Sequence, residues 1–315
     1  MRKRWAAVRS LGVIRAHRVP AMLVHLIDGT YELFRQHFGQ VTRHDDPGPY
    51  AATVGVLAST LQLIGEGATH VGVASDHVIE SFRNDLWPGY KTSEGMPPEL
   101  LAQIPVVETA LIKMGVTTWA MVEHEADDAL AAAAAVADRD ERVEQVLIVT
   151  PDKDLAQCVR GTRVVQLDRR KNEILDEQGV WAKFGVGPAS IADYLALVGD
   201  SADGYPGLPG WGAKSASTVL ERFGTIDAIP ADPQEWGLPG LRGAQKLAQT
   251  LAEQRELAKL FRLIATVVDD VPVGEVDDWR WRGPQDDFGE IAAQIGAPEL
   301  LPRSERLAAK RSDPT

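Results

Sequence analysis

The sequence predicts an α/β protein, in which a mostly parallel sheet flanked by helices is followed by a helical region built around a glycine-rich hairpin. Two patterns support this fold class. From Met22 to Asp168, short apolar runs alternate with longer helical patterns, which is the order expected of parallel strands joined by helices. After Gly187 the strand pattern stops, and helical stretches flank the loop GYPGLPGWG at residues 204–212.

The individual elements follow from periodicity and from residues that begin or end helices. Strands are predicted at MLVHLID (22–28), THVGVASD (69–76), QVLIVTPDKD (145–154) and RVVQLD (163–168). Helices are predicted at residues 53–67, 100–116, 125–140, 188–200, 213–224 and 241–268. A strand or loop at 268–273 and a small pair of helices are predicted to complete the chain.

Composition limits the class of protein. No apolar run approaches the roughly 20 residues that span a bilayer, so no membrane association is predicted. The single cysteine, Cys158, excludes an intramolecular disulfide and fits a reducing cytoplasm. The chain has 33 basic and 45 acidic residues and a net charge of −12. This balance argues against a non-specific nucleic-acid binder, unless a local basic face is hidden within it.

Four segments are predicted. Residues 1–21 carry six basic residues and no acid, which predicts a disordered basic tail, with a targeting segment as the alternative. Met22 is an alternative initiator. Residues 22–185 form the sheet domain, residues 186–305 the helical region and residues 306–315 a second tail.

Acidic residues follow the predicted strands. Strand ends supply Asp28, Asp76, Asp152 and Asp154, and the start of the 125–140 helix supplies Glu125, Asp127 and Asp128. Ligands of open α/β sheets bind at the carboxyl ends of the strands, so these side chains should meet at one edge. Carboxylates that close repel one another unless cations neutralise them, and oxygen ligands suit Mg²⁺ or Mn²⁺. A solvated acidic edge is the alternative.

The hairpin is a second candidate site. Asp200 and Asp203 precede Gly207, Gly210 and Gly212, and Lys214 opens the next helix. Glycines let backbone amides approach a phosphate, and a helix start favours anions. An ordinary helical corner is the alternative for this stretch.

In five ordered motifs the chain resembles the 5′-nucleases, which include the 5′→3′ exonuclease domain of bacterial DNA polymerase I and the flap endonucleases. The resemblance runs from about Met22 to about Arg303. It rests on the stretches LIDGTYELFR, VASDHVIESFRNDLWPGYK, VEHEADDAL, VTPDKDLAQCV and GDSADGYPGLPGWGAKSA. The stretch QRELAKLFRLIATVVDDVPV also resembles the C-terminal helix and strand of the family.

The resemblance implies a PIN-like nuclease domain over 22–185 and a DNA-binding helix–hairpin–helix region over 186–305. It implies hydrolysis of DNA phosphodiesters at 5′ ends and 5′ flaps by two Mg²⁺ or Mn²⁺ ions, in primer removal and repair. It assigns the metal ligands to Asp28, Asp76, Glu125, Asp127, Asp128, Asp152, Asp154, Asp200 and Asp203. It also implies that Lys91 and Arg83 contact the scissile phosphate.

The same resemblance implies a set of DNA contacts. They are Gly207, Gly210, Gly212, Lys214 and Ser215 in the hairpin, with Tyr31 and Arg35 near the first strand. For Tyr31, packing within a helix is the alternative to base stacking. The expected partners are DNA with 5′ flaps, nicks or 5′ ends, K⁺ at the hairpin loop, and a DNA polymerase. We expect a stand-alone, cytoplasmic monomer, because no polymerase-like sequence follows.

Glu94 departs from the family pattern, because a basic residue usually follows the Tyr-Lys pair at this distance. Together with the acidic total charge, it motivates an alternative function, a DNA-junction binding protein with weak or no cleavage. An RNase of the related PIN-like fold is a third possibility, and the helix–hairpin–helix segment argues against it.

Overall fold

The computed structural model describes residues 22–41 and 48–312. Within them, six strands form one sheet: β1 (Met22–Asp28), β2 (His70–Asp76), β3 (Thr117–Met121), β4 (Val143–Val149), β5 (Val164–Asp168) and β6 (Glu173–Leu175). The helices are α1 (Gly29–Val41), α2 (Ala51–Glu66), α3 (Phe82–Leu86), α4 (Pro98–Leu101), α5 (Ile104–Lys113), α6 (Ala126–Arg139), α7 (Glu177–Phe184), α8 (Ile191–Val198), α9 (Ala213–Phe223), α10 (Ala244–Glu253), α11 (Arg255–Ala265), α12 (Phe288–Gln294) and α13 (Leu300–Ser312).

The strand order is β3-β2-β1-β4-β5-β6, and only β6 runs antiparallel to its neighbour. The predicted α/β class and mostly parallel sheet are therefore confirmed. β1 lies between β2 and β4, so the connections diverge on its two sides and leave a crevice at its carboxyl end. Asp28 is the last residue of β1 and lies at this crevice.

Helices cover both faces of the sheet because the buried strands carry apolar residues on each side. Ile27 packs into the cluster that contains Leu57 and Phe288. Leu26 points to the opposite face, where the alanine-rich helix α6 packs. Seven consecutive positions of α6, residues 128–134, are buried, and five of them are alanines, whose small side chains let the helix lie close to the strands.

The elements missing from the sequence prediction lie at the edges of the sheet. Edge strand β3 follows directly on α5, and its residues are only partly buried apart from Met121. Strand β6 has three residues and none of them is fully buried. Helices α1 and α7 were also not predicted, whereas α2, α6 and α9 lie within one or two residues of their predicted bounds.

Two C-terminal predictions are wrong or incomplete. The helix predicted over 241–268 is two helices, α10 and α11, which are separated at Gln254. Residues 268–273 form a loop, which is one of the two forms predicted for them. The predicted tail at 306–315 continues α13 through Ser312, and Arg311 donates to the carbonyl oxygen of Ile64 at 2.6 Å.

Some predictions fall on residues that are not described. The basic tail at 1–21 and the last residues, 313–315, lie outside the described ranges. Among the described residues, none of the helices combines the length and the hydrophobicity that a membrane span requires.

Candidate active site

The carboxyl edge of the sheet gathers the acidic residues of three strands. Asp28 is buried and accepts hydrogen bonds from the Tyr31 amide at 2.8 Å and the Thr150 hydroxyl at 2.9 Å. Asp76, at the end of β2, accepts from the Ala126 amide at 2.7 Å, which fixes the start of α6 against the sheet. Burial raises the pKa of Asp28 to about 7, and burial also raises the pKa of Asp76.

The loop after β4 folds its two aspartates toward this edge. The Asp152 amide donates to the Thr150 hydroxyl at 3.2 Å, and the Asp154 amide donates to Asp152 Oδ1 at 2.9 Å. Burial, followed by the charges of Asp152 and Asp28, raises the pKa of Asp127 well above its ordinary value. The charges of Asp152 and Asp28 act on Asp127 in the direction expected when like charges are close.

The hairpin brings two more carboxylates to the cleft. Asp154, Asp200 and Asp203 each offer one oxygen atom, and these atoms lie within 4.8 Å of one another. Paired backbone hydrogen bonds between Asp200 and Tyr205 at 2.8 and 3.0 Å close the turn that holds Asp203. Asp200 Oδ1 also accepts from the Ala202 amide at 2.9 Å.

These three residues fit a divalent cation. Asp154 Oδ1 is buried and has no hydrogen-bond partner among the described residues, which leaves a lone carboxylate oxygen facing other carboxylates. Burial and the neighbouring charges of Asp152, Asp203 and Asp200 raise the pKa of Asp154 well above its ordinary value. An oxygen-only set of this kind suits Mg²⁺ or Mn²⁺ better than softer metals.

Two lysines partly neutralise the cluster. Lys91 Nζ lies 2.9 Å from Glu125 Oε2 and 3.1 Å from Asp203 Oδ1. Lys153 Nζ lies 2.5 Å from Asp200 Oδ2. Burial lowers the pKa of Lys91, but Glu125 and Asp203 outweigh this effect and raise it, so the side chain stays charged.

The hairpin glycines divide into two kinds. At Gly207, an added Cβ would lie 2.4 Å from the backbone nitrogen of Gly199, so this glycine is needed for close packing on the end of α8. Gly207 is buried, so its predicted DNA contact stays a prediction that this packing does not favour. Around Gly210 and Gly212 nothing lies within 4 Å of an added Cβ, so the backbone there is open to a ligand.

Two protein-family models match this chain and identify its family. Residues 23–185 match the model of the 5'-3' exonuclease N-terminal resolvase-like domain. Residues 186–287 match the model of the 5'-3' exonuclease C-terminal SAM fold. The chain belongs to the 5'-3' exonuclease family. The family predicted from the five motifs is thus confirmed.

Individual relatives agree with this assignment. A 5'-3' exonuclease of Buchnera aphidicola subsp. Schizaphis graminum is 30% identical over 252 residues, which are 79% of this chain and 87% of the relative. DNA polymerase I of Bacillus caldotenax is 30% identical over 301 residues, 92% of this chain. The matched region is 33% of that polymerase, so the chain spans about a third of its length.

Solved structures share the fold of this exonuclease-family chain. Zinc-bound T5 5'-exonuclease superposes with a TM-score of 0.62 at 18% identity, covering 91% of this chain and 98% of the other. The catalytic core of Rad2 in complex with a DNA substrate superposes with a TM-score of 0.60 at 14% identity, covering 91% and 93%. At sequence identities this low, the similarity shows a shared fold.

Arg83 and Asp128 pair with each other in the structure, and their predicted roles at the scissile phosphate and the metal stay predictions. Both side chains are buried, and the two guanidinium nitrogens of Arg83 donate to the two carboxylate oxygens of Asp128 at 2.8 and 2.7 Å. Arg83 Nε also donates to the Ile264 carbonyl oxygen at 2.8 Å. Because each group satisfies the other, neither can hold a metal or a phosphate without breaking the pair.

Glu125 lies between this buried pair and the cleft. The Ser81 hydroxyl donates to it at 2.6 Å and the Tyr90 hydroxyl at 3.2 Å, while Lys91 occupies its cleft side. This arrangement holds the carboxylate against Lys91. Its role as a metal ligand stays a prediction.

The remaining predicted contacts lie around the cleft. Tyr31 is half-buried on α1, and Arg35 pairs with Glu32 at 2.6 Å. Lys214 is exposed at the start of α9, whereas the Ser215 hydroxyl is bonded to the amide and carbonyl of Gly212 at 3.0 Å. Glu94 is exposed, so its side chain is not held in the cleft.

Sequence reasoning missed Lys153 and Thr150. Thr150 links Asp28 to the backbone of Asp152, and Lys153 holds Asp200. The motif PDKD contains a signal for Lys153, because the lysine stands between two aspartates that were both predicted to lie at the carboxyl edge of the sheet.

The buried carboxyls make a prediction for the metal-free protein. Burial raises the pKa of Asp28 to about 7 and that of Asp203 to about 6, both from 3.8. Between pH 3.8 and about 7, the folded state binds protons that the unfolded chain does not. The free energy of unfolding should therefore fall as the pH rises through this range. In EDTA, we expect a lower Tm at about pH 8 than at about pH 5.5, with Mg²⁺ reducing the difference. A higher Tm at the alkaline pH would contradict this.

Proposed function

We propose that this protein hydrolyses DNA phosphodiesters at 5′ ends and 5′ flaps with the help of two divalent metal ions, Mg²⁺ or Mn²⁺. One observation carries the proposal: the segment that supplies Asp200 and Asp203 to the carboxylate cluster continues directly into an open glycine hairpin. One segment would therefore carry both the metal ligands and the backbone that holds the DNA. It would set the distance between the bound phosphate and the bond that is cut.

The carboxylates of the cleft would hold the ions. They are Asp28, Asp76, Glu125, Asp127, Asp152, Asp154, Asp200 and Asp203, with Asp128 left out because Arg83 occupies it. When bound, the ions would orient and activate a water and stabilise the leaving oxygen. Lys91 is held by Glu125 and Asp203 at the cleft, where its ammonium can meet an incoming phosphate.

The hairpin would hold the duplex beside the cut. The exposed backbone at Gly210 and the exposed Lys214 suit a phosphate, and the start of α9 adds a partial positive charge. K⁺ at this loop, contacts from Tyr31 and Arg35, a monomeric state and a cytoplasmic location belong to the same proposal. So does primer removal beside a DNA polymerase, whether on the same polypeptide or a separate one.

A cleavage assay tests the proposed function directly. A labelled 5′-flap duplex should be cut near the junction in Mg²⁺ or Mn²⁺ and left intact in EDTA. Tight flap binding without cleavage in either metal would reject the nuclease proposal and favour the junction-binding alternative. Cleavage of an RNA strand with no cleavage of DNA would favour the RNase alternative.

Lys214 provides a prediction about phosphate contact. Lys214→Ala should weaken binding equally for all DNA sequences and lower the slope of log K against log[salt] by about one, because one counterion fewer is released. Fluorescence anisotropy at several salt concentrations measures this slope. Lys113→Ala is a matched control, since Lys113 lies at the C-terminal end of α5, before β3, and pairs with Asp287. An unchanged slope, or a loss confined to some sequences, would contradict phosphate contact at Lys214.

A further inference from the structure

The hairpin sequence recurs thirty residues further along the chain. Residues 207–220 read GLPGWGAKSASTVL, and residues 237–251 read GLPGLRGAQKLAQTL. Each stretch begins with Gly-Leu-Pro-Gly, and each continues with Gly-Ala at the start of a helical pattern. A lysine follows within the first turn, Lys214 in one and Lys246 in the other.

Both stretches end in a glycine that begins a helix. The N-cap of α9 is Gly212, with an extended backbone, and the N-cap of α10 is Gly243, with a left-handed backbone, so the turns differ in detail. Both helices are at least ten residues long. Around Gly240 and Gly243 nothing lies within 4 Å of an added Cβ, as at Gly210 and Gly212 in the first loop. The backbone of the second loop is therefore as accessible as that of the first.

The loops face each other across a groove of about 1190 Å³. Among the described residues, three cations line it, Lys214, Arg242 and Lys246, and no aspartate or glutamate does. Within the described ranges none of the three forms an ion pair or a side-chain hydrogen bond, although the chain as a whole carries a charge of −12. Unpaired cations concentrated on one groove of an acidic protein create a local positive field that attracts anions.

We propose that residues 237–246 form a second phosphate-binding loop, and that the groove between the two loops holds the backbone of a DNA duplex. This inference rests on the proposed function. A duplex is favoured over a single strand because none of the described residues that line the groove is aromatic, and single-strand binders use aromatic rings to stack bases. Arg242 and Lys246 would each contact one phosphate, and two helix starts would add their partial positive charges.

The salt dependence of binding tests this. Arg242→Ala/Lys246→Ala should lower the slope of log K against log[salt] for a nicked duplex by about two, uniformly across sequences. The matched control, Lys113→Ala/Lys310→Ala, removes two cations elsewhere on the molecule and should leave the slope unchanged.

A second variant tests the same groove without removing any of its cations. Gly240→Glu places a carboxylate at the mouth of the groove, in open space and without a left-handed φ, and should weaken duplex binding with no change in Tm. Wild-type flap cleavage is measured in parallel: if it is absent, the proposed function fails. If the wild type cuts but the double variant keeps the full slope, or loses affinity equally for a single-stranded oligonucleotide, the second loop alone is rejected.

Discussion

Replacing Asp154 with asparagine should abolish DNA cleavage while leaving the fold and DNA binding in place. Asn has nearly the same shape, so the amide contact from Asp154 to Asp152 can persist. The variant loses the charge on a buried carboxylate whose free oxygen faces Asp200 and Asp203. Changes in the outer shell of a metal site cost roughly 10–100-fold in activity, so losing a direct ligand should exceed that range.

The measurement is single-turnover cleavage of a 5′ flap in Mg²⁺, alongside binding of the same flap in Ca²⁺ or EDTA. Asp269→Asn is the control, because Asp269 is an exposed aspartate outside the carboxylate cluster. A second readout is stability without metal, which should rise in Asp154→Asn because burial and neighbouring acids raise the pKa of the native carboxyl. Wild-type cleavage by purified Asp154→Asn would remove Asp154 from the metal centre.

The central part of the fold follows from sequence because its strands are buried on both faces. β1, β2 and β4 each contain a mostly apolar run, LVHLI, VGVA and VLIV, and an aspartate follows each run directly or within three residues. Parallel strands place their carboxyl ends at one edge, so the meeting of Asp28, Asp76 and Asp152 required no knowledge of distances. Strand β3 was missed because its pattern is half exposed and adjoins a helix that already accounted for Gly115 and Val116.

The surroundings of Asp128 could not be predicted from the local sequence. Successive residues of a helix point about 100° apart, so the side chains of Asp127 and Asp128 leave α6 in different directions. Asp128 is the third residue of α6 and accepts a hydrogen bond from the Glu125 amide at 2.9 Å, which is a helix-capping contact. Its pairing with Arg83, 45 residues away, depends on tertiary packing that no local pattern records.

This pair supports the second large prediction. Arg83→Met should lower the free energy of unfolding by about 3–5 kcal/mol, because it leaves the Asp128 carboxylate buried without its partner. The loss also frees the carbonyl oxygens of Ile264 and Thr266, which accept from the same guanidinium. Urea unfolding measures the change, and Arg142→Met, which removes an exposed guanidinium, should move the midpoint far less.

The double variant Arg83→Met/Asp128→Leu separates structure from chemistry. Replacing both buried charges with apolar groups removes the unpaired carboxylate, so the double variant should be more stable than Arg83→Met alone. If the pair is structural, the folded double variant should still cut a 5′ flap in Mg²⁺, although it lacks both a residue predicted from sequence to bind metal and one predicted to bind phosphate. If instead the midpoint of unfolding is unchanged in Arg83→Met and cleavage is lost, Arg83 leaves Asp128 to meet the substrate, and the arrangement seen here is not the one that acts on DNA.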